Sequence, residues 1–422
     1  MVKNYYKIGF LLFLSLLIYS RSPYIFNYGR FFSLDLTYHF EIEALNLINS
    51  LFFVDYSARY LNIISNISSI ISSRFFDLEN SQYVAVYLSL IIYLIIILKV
   101  LYEESRLFSN QIQKYIFSTL IILTPVMSFE IWLNAINLQV YLGLLGIIIL
   151  FSNPGQSKKI INYFLLILCG LSGVYSCALT PLFLLNFLRL KSKYNFICFF
   201  ILFMCSIIQL SLIYISTITN EIGSSNTALI LDFSKYETIS FVYNTVIRAF
   251  FGSSFPKFIF DIFGLNLDKI SANESLKDLL FFISLFVSII LIFLIIWAFK
   301  TFKKLEDRAV FTYLILIFSI LSFVVIIGGV SDSLHGRYSA LPGIIIVLIV
   351  LYVASNSKKI FLKNLSIVFL CCSLFFGFYD YRLKKYLVYF DCINCPDWKM
   401  EVKKYKNDKS YMPNAWPYHI DR

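Results

Sequence analysis

The chain has 422 residues, of which 59% are hydrophobic and only 14% are charged. Apolar runs such as "VYLSLIIYLIIILKVLY" are long enough for a helix to cross the roughly 30 Å hydrocarbon core of a bilayer, so the composition excludes a water-soluble domain. The formal charge of +11 does not indicate that the protein binds nucleic acid. In a membrane protein the positions of basic residues mainly indicate which loops face the cytoplasm.

Hydropathy predicts an all-α polytopic membrane protein. The opening run is not followed by a small-x-small cleavage site, so it is an uncleaved first span. Segment 160–190 is too long for one helix and too short for two full spans. It is interrupted by "GLSG" and flanked by basic residues, which predicts a hairpin of two short helices. About eleven passes result, the other nine being 6–20, 82–101, 115–128, 134–151, 195–216, 279–299, 310–329, 338–355 and 361–378.

The charges of the loops orient the chain, because every predicted inside loop carries Lys or Arg. Of the 25 acidic residues, only Glu103, Glu104, Glu306 and Asp307 fall inside, which leaves 21 outside. We therefore predict a transmembrane domain over 1–378 and an extracytoplasmic tail over 379–422. The two long outer loops are 21–81 and 217–278.

The outer loops contain two segments that favour the membrane surface. Leu61, Ile64, Ile67 and Ile71 recur at helical spacing beside a Ser/Asn face, which predicts a helix lying in the interface. The Phe-rich residues 239–262 predict a second interfacial or re-entrant piece.

The eight cysteines form two groups. Cys392 and Cys395 make a CxxC in the tail, where no second pair completes a zinc site and a disulfide can form if the tail is outside the cytosol. The other six lie in apolar runs as packing residues: Cys169, Cys177, Cys198, Cys205, Cys371 and Cys372.

The stretch "FFSLDLTYHFEIEA", residues 31–44, concentrates acids directly after the first span. Asp35 can act there as a general base or as a metal ligand, and the plainer alternative is a solvated loop acid. His39 is a further candidate for substrate binding. In an extended loop Glu41 and Glu43 would point to opposite faces, so only one of them could join Asp35.

The stretch "FEIWLNAINLQVY", residues 129–141, predicts a sugar-binding stripe, since amides and carboxylates beside an aromatic face suit carbohydrate. Trp132 and Gln139 lie next to this stripe. The alternative is hydrogen bonding between helices. Four polar residues recur at i, i+4, i+7 and i+11 on one face of a helix: Glu130, Asn134, Asn137 and Tyr141.

The stretch "SDSLHGRYSALPG", residues 331–343, contains Arg337, the only basic residue of a short outside loop. A guanidinium can bind phosphate through two hydrogen bonds and keeps its charge, which makes Arg337 a candidate phosphate ligand. The alternative is that its side chain extends to the lipid headgroups. The neighbouring candidates are His335, Tyr338 and Asp332. Arg59 is a further phosphate candidate.

This layout resembles the polytopic GT-C glycosyltransferases, which use polyprenyl-phosphate sugars on the outer face of the membrane. The resemblance lies in the acid of the first outer loop, the interfacial helix, the hairpin "LCGLSGVYSCALTPLFLL" and the late "GRY" before a span. The Trp/Pro-rich tail is similar to that of bacterial O-antigen or serotype-modifying members. The family's catalytic Asp maps to Asp35, although the adjacent acid pair of the family is not present here.

The resemblance implies inverting transfer of a hexosyl or pentosyl group to a hydroxyl of a surface glycan or lipid, as in polysaccharide and lipopolysaccharide biosynthesis. The implied partners are the lipid-linked sugar, the acceptor and membrane lipids; no cofactor is required, and a divalent metal ion is left open. Richness in Ile, Lys and Asn favours a bacterial cytoplasmic (inner) membrane, with the site facing the periplasm or the outside. The alternatives are a lipid-linked glycan flippase or transporter, a glycan polymerase or ligase, and a structural subunit.

Overall fold

The computed structural model describes residues 2–27, 29–55, 59–125, 131–220, 242–252, 274–328, 336–380, 397–409 and 411–413. Within these ranges the chain is helical and has no strand, which confirms the predicted all-α class. Six of the described helices are long and apolar enough to cross a membrane, which confirms a membrane protein. These candidate spans are Leu78–Tyr102, Lys193–Ser216, Phe282–Thr301, Leu305–Val325, Ser339–Asn356 and Ile360–Tyr379.

The helices follow the apolar runs of the sequence. In chain order they are α1 (Val2–Arg21), α2 (Pro23–Asn27), α3 (Ser33–Glu43), α4 (Leu47–Leu51), α5 (Ile63–Phe75), α6 (Leu78–Tyr102), α7 (Gln111–Leu123), a 3-10 turn (Ile136–Leu138) that continues into α8 (Gln139–Phe151), α9 (Gln156–Gly170), α10 (Val174–Ala178), α11 (Thr180–Leu190), α12 (Lys193–Asn220), a π-helical turn (Tyr243–Ile247) that continues into α13 (Arg248–Phe251), α14 (Glu274–Thr301), α15 (Leu305–Gly328), α16 (Gly336–Asn356), α17 (Ile360–Tyr379) and α18 (Trp398–Asn407).

Five of the predicted spans coincide with long helices from α12 to α17, and a sixth coincides with α6. Three other predicted spans are helical but are not among the six candidates. The first is α1, with 20 residues; the second is α7, with 13 residues. The third is the apolar segment Ile136–Phe151. The count of eleven passes therefore remains a prediction.

The predicted break in segment 160–190 is observed: the short helices α9 and α11, with the single turn α10 between them, both pack against α12. Their passage through the membrane remains a prediction. The break between them is set by Gly173, whose φ of +116° is readily adopted only by glycine. Gln209 of α12 connects this break to the segment that precedes α5. Its amide donates to the carbonyl oxygens of Gly170 at 3.2 Å and Leu61 at 2.9 Å.

The helix predicted around Leu61–Ile71 is confirmed as α5, but its Ser/Asn face is buried in protein instead of facing water. α5 packs against α3 on one side and α6 on the other. The amide of Asn66 donates to the carbonyl oxygens of Leu51 and Phe53, both at 2.8 Å. The polar face thus satisfies backbone groups of the preceding loop, a role that periodicity alone does not reveal.

Two compact units make up the chain. The first comprises Met1–Glu103, Phe129–Asn226 and Leu383–Arg422, and the second comprises Glu104–Ser128 and Thr227–Arg382. In the first unit the tail helix α18 packs against the start of α3, through a cluster formed by Phe31, Leu36, Trp398 and Val402. This contact brings the two segments that the loop charges assign to the outside into one cluster; their side of the membrane remains a prediction.

Some sequence predictions fall only partly on the described residues. Of the piece 239–262, residues 242–252 are described, as the π-helical turn and α13. Cys392 and Cys395 lie outside the described residues. Among the cysteines predicted to serve in packing, Cys169, Cys198 and Cys205 are buried, Cys177 and Cys372 are half-buried and Cys371 is exposed.

In the second unit, α17 crosses α7 at Gly377, where a Cβ atom would overlap the backbone carbonyl of Leu123. We expect Gly377→Ala to lower the melting temperature of the purified protein sharply, because backbone cannot move aside as a flexible side chain can. The matched control is Gly9→Ala in α1, where a Cβ meets nothing within 4 Å and helix propensity favours alanine. Equal melting temperatures of the two variants would contradict the close crossing.

Candidate functional site

Asp35 is a buried side chain in the first turn of α3, with only 4% of its surface exposed. Its Oδ1 accepts the backbone N–H of Ile136 at 3.0 Å, and its Oδ2 accepts that of Ala135 at 3.3 Å. These donors stand where the helical segment Ile136–Phe151 begins, and the first N–H groups of a helix have no partner within the helix. Asp35 is therefore not a solvated loop acid; it ties α3 to the start of that segment.

Burial dominates the electrostatics of this carboxyl. It raises the pKa of Asp35 from 3.8 to about 7, while the hydrogen bonds from Ala135 and Ile136 act in the opposite direction. The first turn of α3 and the start of the facing segment both place positive dipole ends near the group, which also favours the anion. A carboxyl with a pKa near neutrality suits proton transfer at physiological pH, and each oxygen keeps a second lone pair for a substrate hydroxyl.

The predicted helical stripe over Glu130–Tyr141 is wrong, because the helix begins only at Ile136. Leu133 has a φ of +48°, a left-handed conformation that cannot continue a right-handed helix. Asn134 precedes the helix, and its Oδ1 accepts the backbone N–H of Asn137 at 2.9 Å. Both amides are buried, and Glu130 lies outside the described residues.

Trp132 does not present an open face for a sugar, which corrects its predicted role. Only 2% of the residue is exposed. The Arg21 guanidinium lies 4.6 Å from the centroid of its ring, and the Tyr93 ring lies 5.4 Å away in an edge-on arrangement. Gln139, which is also buried, donates through Nε2 to the Tyr60 hydroxyl at 2.7 Å. That contact brings the loop containing Arg59 and Tyr60 to the start of α8.

The other candidates on α3 do not join Asp35. Glu41 and Glu43 are exposed, because residues 33–43 form a helix and not the extended loop in which one of them could approach Asp35. His39 is buried and faces α5, where Nδ1 lies 2.8 Å from the Ser72 hydroxyl. Since that hydroxyl donates to the carbonyl of Ser69 at 3.1 Å, we assign the Nδ1–H tautomer to His39.

Two of the strained backbone positions lie in the loops that meet at the start of α8. Of the three non-glycine residues with positive φ in the described part of the chain, Leu133 (+48°) and Arg59 (+60°) belong to the two loops just described. Such conformations cost on the order of 1–3 kcal/mol each and occur preferentially at functional sites. The third, Lys191 (+46°), ends α11, a position where a left-handed residue is common.

The structure places the phosphate candidates of the late loop at the start of α16, where Arg337 and Tyr338 are the second and third residues. Their side chains, and the whole of His335 and Asp332, lie outside what the structure describes. The first turn of a helix favours anions because its N–H groups have no helical partner. This location suits a phosphate-binding role for Arg337.

Sequence reasoning missed Arg21 and Tyr60, which contact Trp132 and Gln139 respectively. Arg21 had a signal: it is a basic residue at the predicted outer end of the predicted first span, against the positive-inside trend. Tyr60 had none, because its role depends on a loop that meets α8 from 79 residues away in the chain.

Within the described ranges, no three His, Cys, Asp or Glu side chains lie close enough together to hold a metal ion. No protein-family model matches the chain. Comparison with curated proteins and with solved structures also finds no similar protein.

The pKa values of Asp35 and His39 predict opposing effects of pH on stability. Burial raises the pKa of Asp35 to about 7, so between pH 4 and 7 the folded chain holds a proton that the unfolded chain releases. Stability therefore falls as pH rises through that window. Burial lowers the pKa of His39 to about 4, so between pH 4 and 6.5 the unfolded chain holds the extra proton and stability rises with pH.

Single variants separate the two effects. In His39→Asn, which keeps a side-chain N–H for Ser72, we expect the free energy of unfolding to fall by on the order of 4 kcal/mol from pH 4 to 7. In Asp35→Asn we expect it to rise from pH 4 to 6.5. Thermal unfolding in detergent across this range measures both slopes, and parallel curves for the two variants would refute the assignment.

Proposed function

We propose that this protein is a membrane glycosyltransferase of GT-C type. It transfers a hexosyl or pentosyl group from a polyprenyl-phosphate carrier to a hydroxyl of a surface glycan or lipid, at the extracytoplasmic face of a bacterial cytoplasmic membrane. The observation that carries the proposal is Asp35, a buried carboxyl with a pKa raised to about 7 that lies outside the candidate spans.

The reaction needs a base and a site for the departing phosphate. The acceptor oxygen attacks the anomeric carbon while Asp35 takes the hydroxyl proton. The bond from the anomeric carbon to the phosphate oxygen breaks, and polyprenyl phosphate leaves with the electron pair. Arg337 offsets the charge on that leaving group. A single displacement inverts the anomeric configuration.

The distribution of charge in the spans favours an enzyme over a flippase or transporter. Transporters place ionisable residues near the middle of the membrane. In the six described candidate spans, every Asp, Glu, Lys and Arg lies within four residues of an end. A glycan polymerase or ligase would share the same outer-face chemistry, and the identity of the acceptor distinguishes it from a transferase of single sugars.

An assay in proteoliposomes distinguishes a transferase from a flippase. The proteoliposomes contain the purified protein, an acceptor and a radiolabelled polyprenyl-phosphate sugar. A transferase converts the carrier to free polyprenyl phosphate and labels the acceptor, whereas a flippase changes only the leaflet in which the intact carrier resides. Leaflet exchange without chemical conversion would refute the proposal.

A further inference from the structure

The tail helix α18 is anchored on the first outer loop by one buried face. Trp398, Glu401 and Val402 are buried, and their spacing places them on one side of a helix. The indole N–H of Trp398 donates to the carbonyl oxygen of Leu78 at 3.0 Å. The same ring lies 5.7 Å from the ring of Phe31, two residues before α3.

A buried ion pair lies at the centre of this contact. Nη1 of Arg30 is 2.9 Å from Oε1 of Glu401, and the two side chains are 2% and 0% exposed. The Arg30 guanidinium also lies 5.7 Å from the centroid of the Trp398 ring. Removal of one partner would leave the other charge buried and uncompensated, which is strongly destabilising, so docking of the tail is coupled to the presence of both residues. The four lysines of α18 are all exposed, which leaves Glu401 as its one buried charge.

α3 is held between the tail and the rest of the first unit. On one side Leu36 packs in the cluster with Trp398 and Val402, and the Phe40 ring lies 5.5 Å from that of Tyr405. On the other side Tyr38 and Ile42 of α3 pack with Ile70 and Ile136. Asp35 reaches the backbone of Ala135 and Ile136 from this second side. Loss of the tail contact would leave α3 held on one side only.

We infer that Glu401 and Arg30 are positioning residues for the carboxylate of Asp35. Their buried ion pair docks α18 on the start of α3 and thereby fixes Asp35 against the helix that begins at Ile136. Neither residue contacts Asp35 or the reacting atoms, so both act through α3. The inference rests on the proposed function for its effect on catalysis, while the docking itself is independent of that function.

The test breaks one partner of the pair and then removes both. In Glu401→Gln we expect kcat to fall by about 10- to 100-fold, the size of loss that a displacement of a catalytic group by about 1 Å produces, with KM for the polyprenyl-phosphate sugar nearly unchanged. Hydrogen exchange should become faster in α3, because its outer support is loosened. The double variant Arg30→Met, Glu401→Leu should recover most of kcat, because apolar replacement of a complete buried pair is often neutral.

The matched control is Lys406→Gln, which removes the ion pair of Lys406 with Glu79 at 2.6 Å. Lys406 is on the same helix as Glu401, but its pair with Glu79 of α6 is open to solvent, with the two side chains 51% and 28% exposed. Such pairs contribute little, so kcat and exchange in α3 should stay unchanged.

The outcomes separate the inference from the proposed function. If Glu401→Gln keeps both kcat and slow exchange in α3 while Asp35→Asn is inactive, positioning is wrong and the proposed function stands. If no variant, Asp35→Asn included, affects activity, the proposed function fails, and faster exchange in Glu401→Gln would still support the docking. Failure of the double variant to recover either quantity would mean that apolar contacts cannot replace the pair, and the docking would then depend on the ion pair itself.

Discussion

Replacing Asp35 by asparagine is expected to lower kcat for sugar transfer by about 10²- to 10⁴-fold, the usual contribution of a general base. Asparagine has nearly the same shape, and its Oδ1 can still accept a backbone N–H at the start of the facing helix. Only one of the two backbone N–H groups that Asp35 binds keeps its acceptor, so we expect some loss of stability and compare rates per folded molecule. The measurement is the initial rate of donor consumption by equal amounts of folded protein.

Two controls distinguish lost basicity from lost structure. Glu41→Gln and Glu43→Gln alter exposed acids of the same helix and should leave the rate unchanged. Asn46→Ala removes the cap of α4, where Oδ1 of Asn46 accepts the Asn49 N–H at 2.9 Å; it should cost about 1 kcal/mol of stability without loss of activity. If Asp35→Asn is active and Glu41→Gln or Glu43→Gln is not, Asp35 is the wrong acid.

Replacing Arg337 by alanine is expected to lower kcat by about 10²- to 10³-fold, the loss typical of one donor to a developing charge. Arg337→Lys should recover only part, because an ammonium is a point charge and not a planar fork that binds phosphate in a bidentate manner. The measurement is again donor turnover, together with the affinity for polyprenyl phosphate as a product inhibitor.

The matched control for Arg337 is Arg74→Ala in the first outer loop. Arg74 donates through Nη2 to the Leu45 carbonyl at 2.9 Å and to the Ser50 hydroxyl at 3.1 Å. Its loss should affect stability and leave turnover intact. If Arg337→Lys is fully active, a positive charge at this position is sufficient and bidentate binding of phosphate is not required. If Arg337→Ala is fully active, Arg337 has no role in the reaction.

The sequence is sufficient for features that depend on local chemistry. The apolar runs predict the long helices, and the interruption "GLSG" predicts the break between α9 and α11, where Gly173 has a φ of +116° that other residues rarely adopt. The acid-rich stretch after the first span also locates Asp35. These signals involve neighbours in the chain, so no knowledge of packing is required.

Features that depend on distant contacts are not predictable from periodicity. The helical stripe over Glu130–Tyr141 fails because Asp35, about 100 residues earlier, binds the N–H groups at which the helix starts. Trp132 is covered by Arg21, from the end of the first helix. Glu401 lies among lysines that suggest a solvated face, yet it is buried against Arg30 from the other end of the chain.

The most direct test of the central claim follows the fate of the carrier when the purified protein acts on a panel of hexosyl and pentosyl polyprenyl phosphates with an acceptor glycan or lipid. We expect one donor to release polyprenyl phosphate in a one-to-one ratio with the sugar transferred. NMR should show an inverted anomeric configuration in the product, and the Asp35→Asn protein should release almost none. Absence of release from every donor, or equal release by the Asp35→Asn protein, would contradict an Asp35-dependent glycosyltransferase.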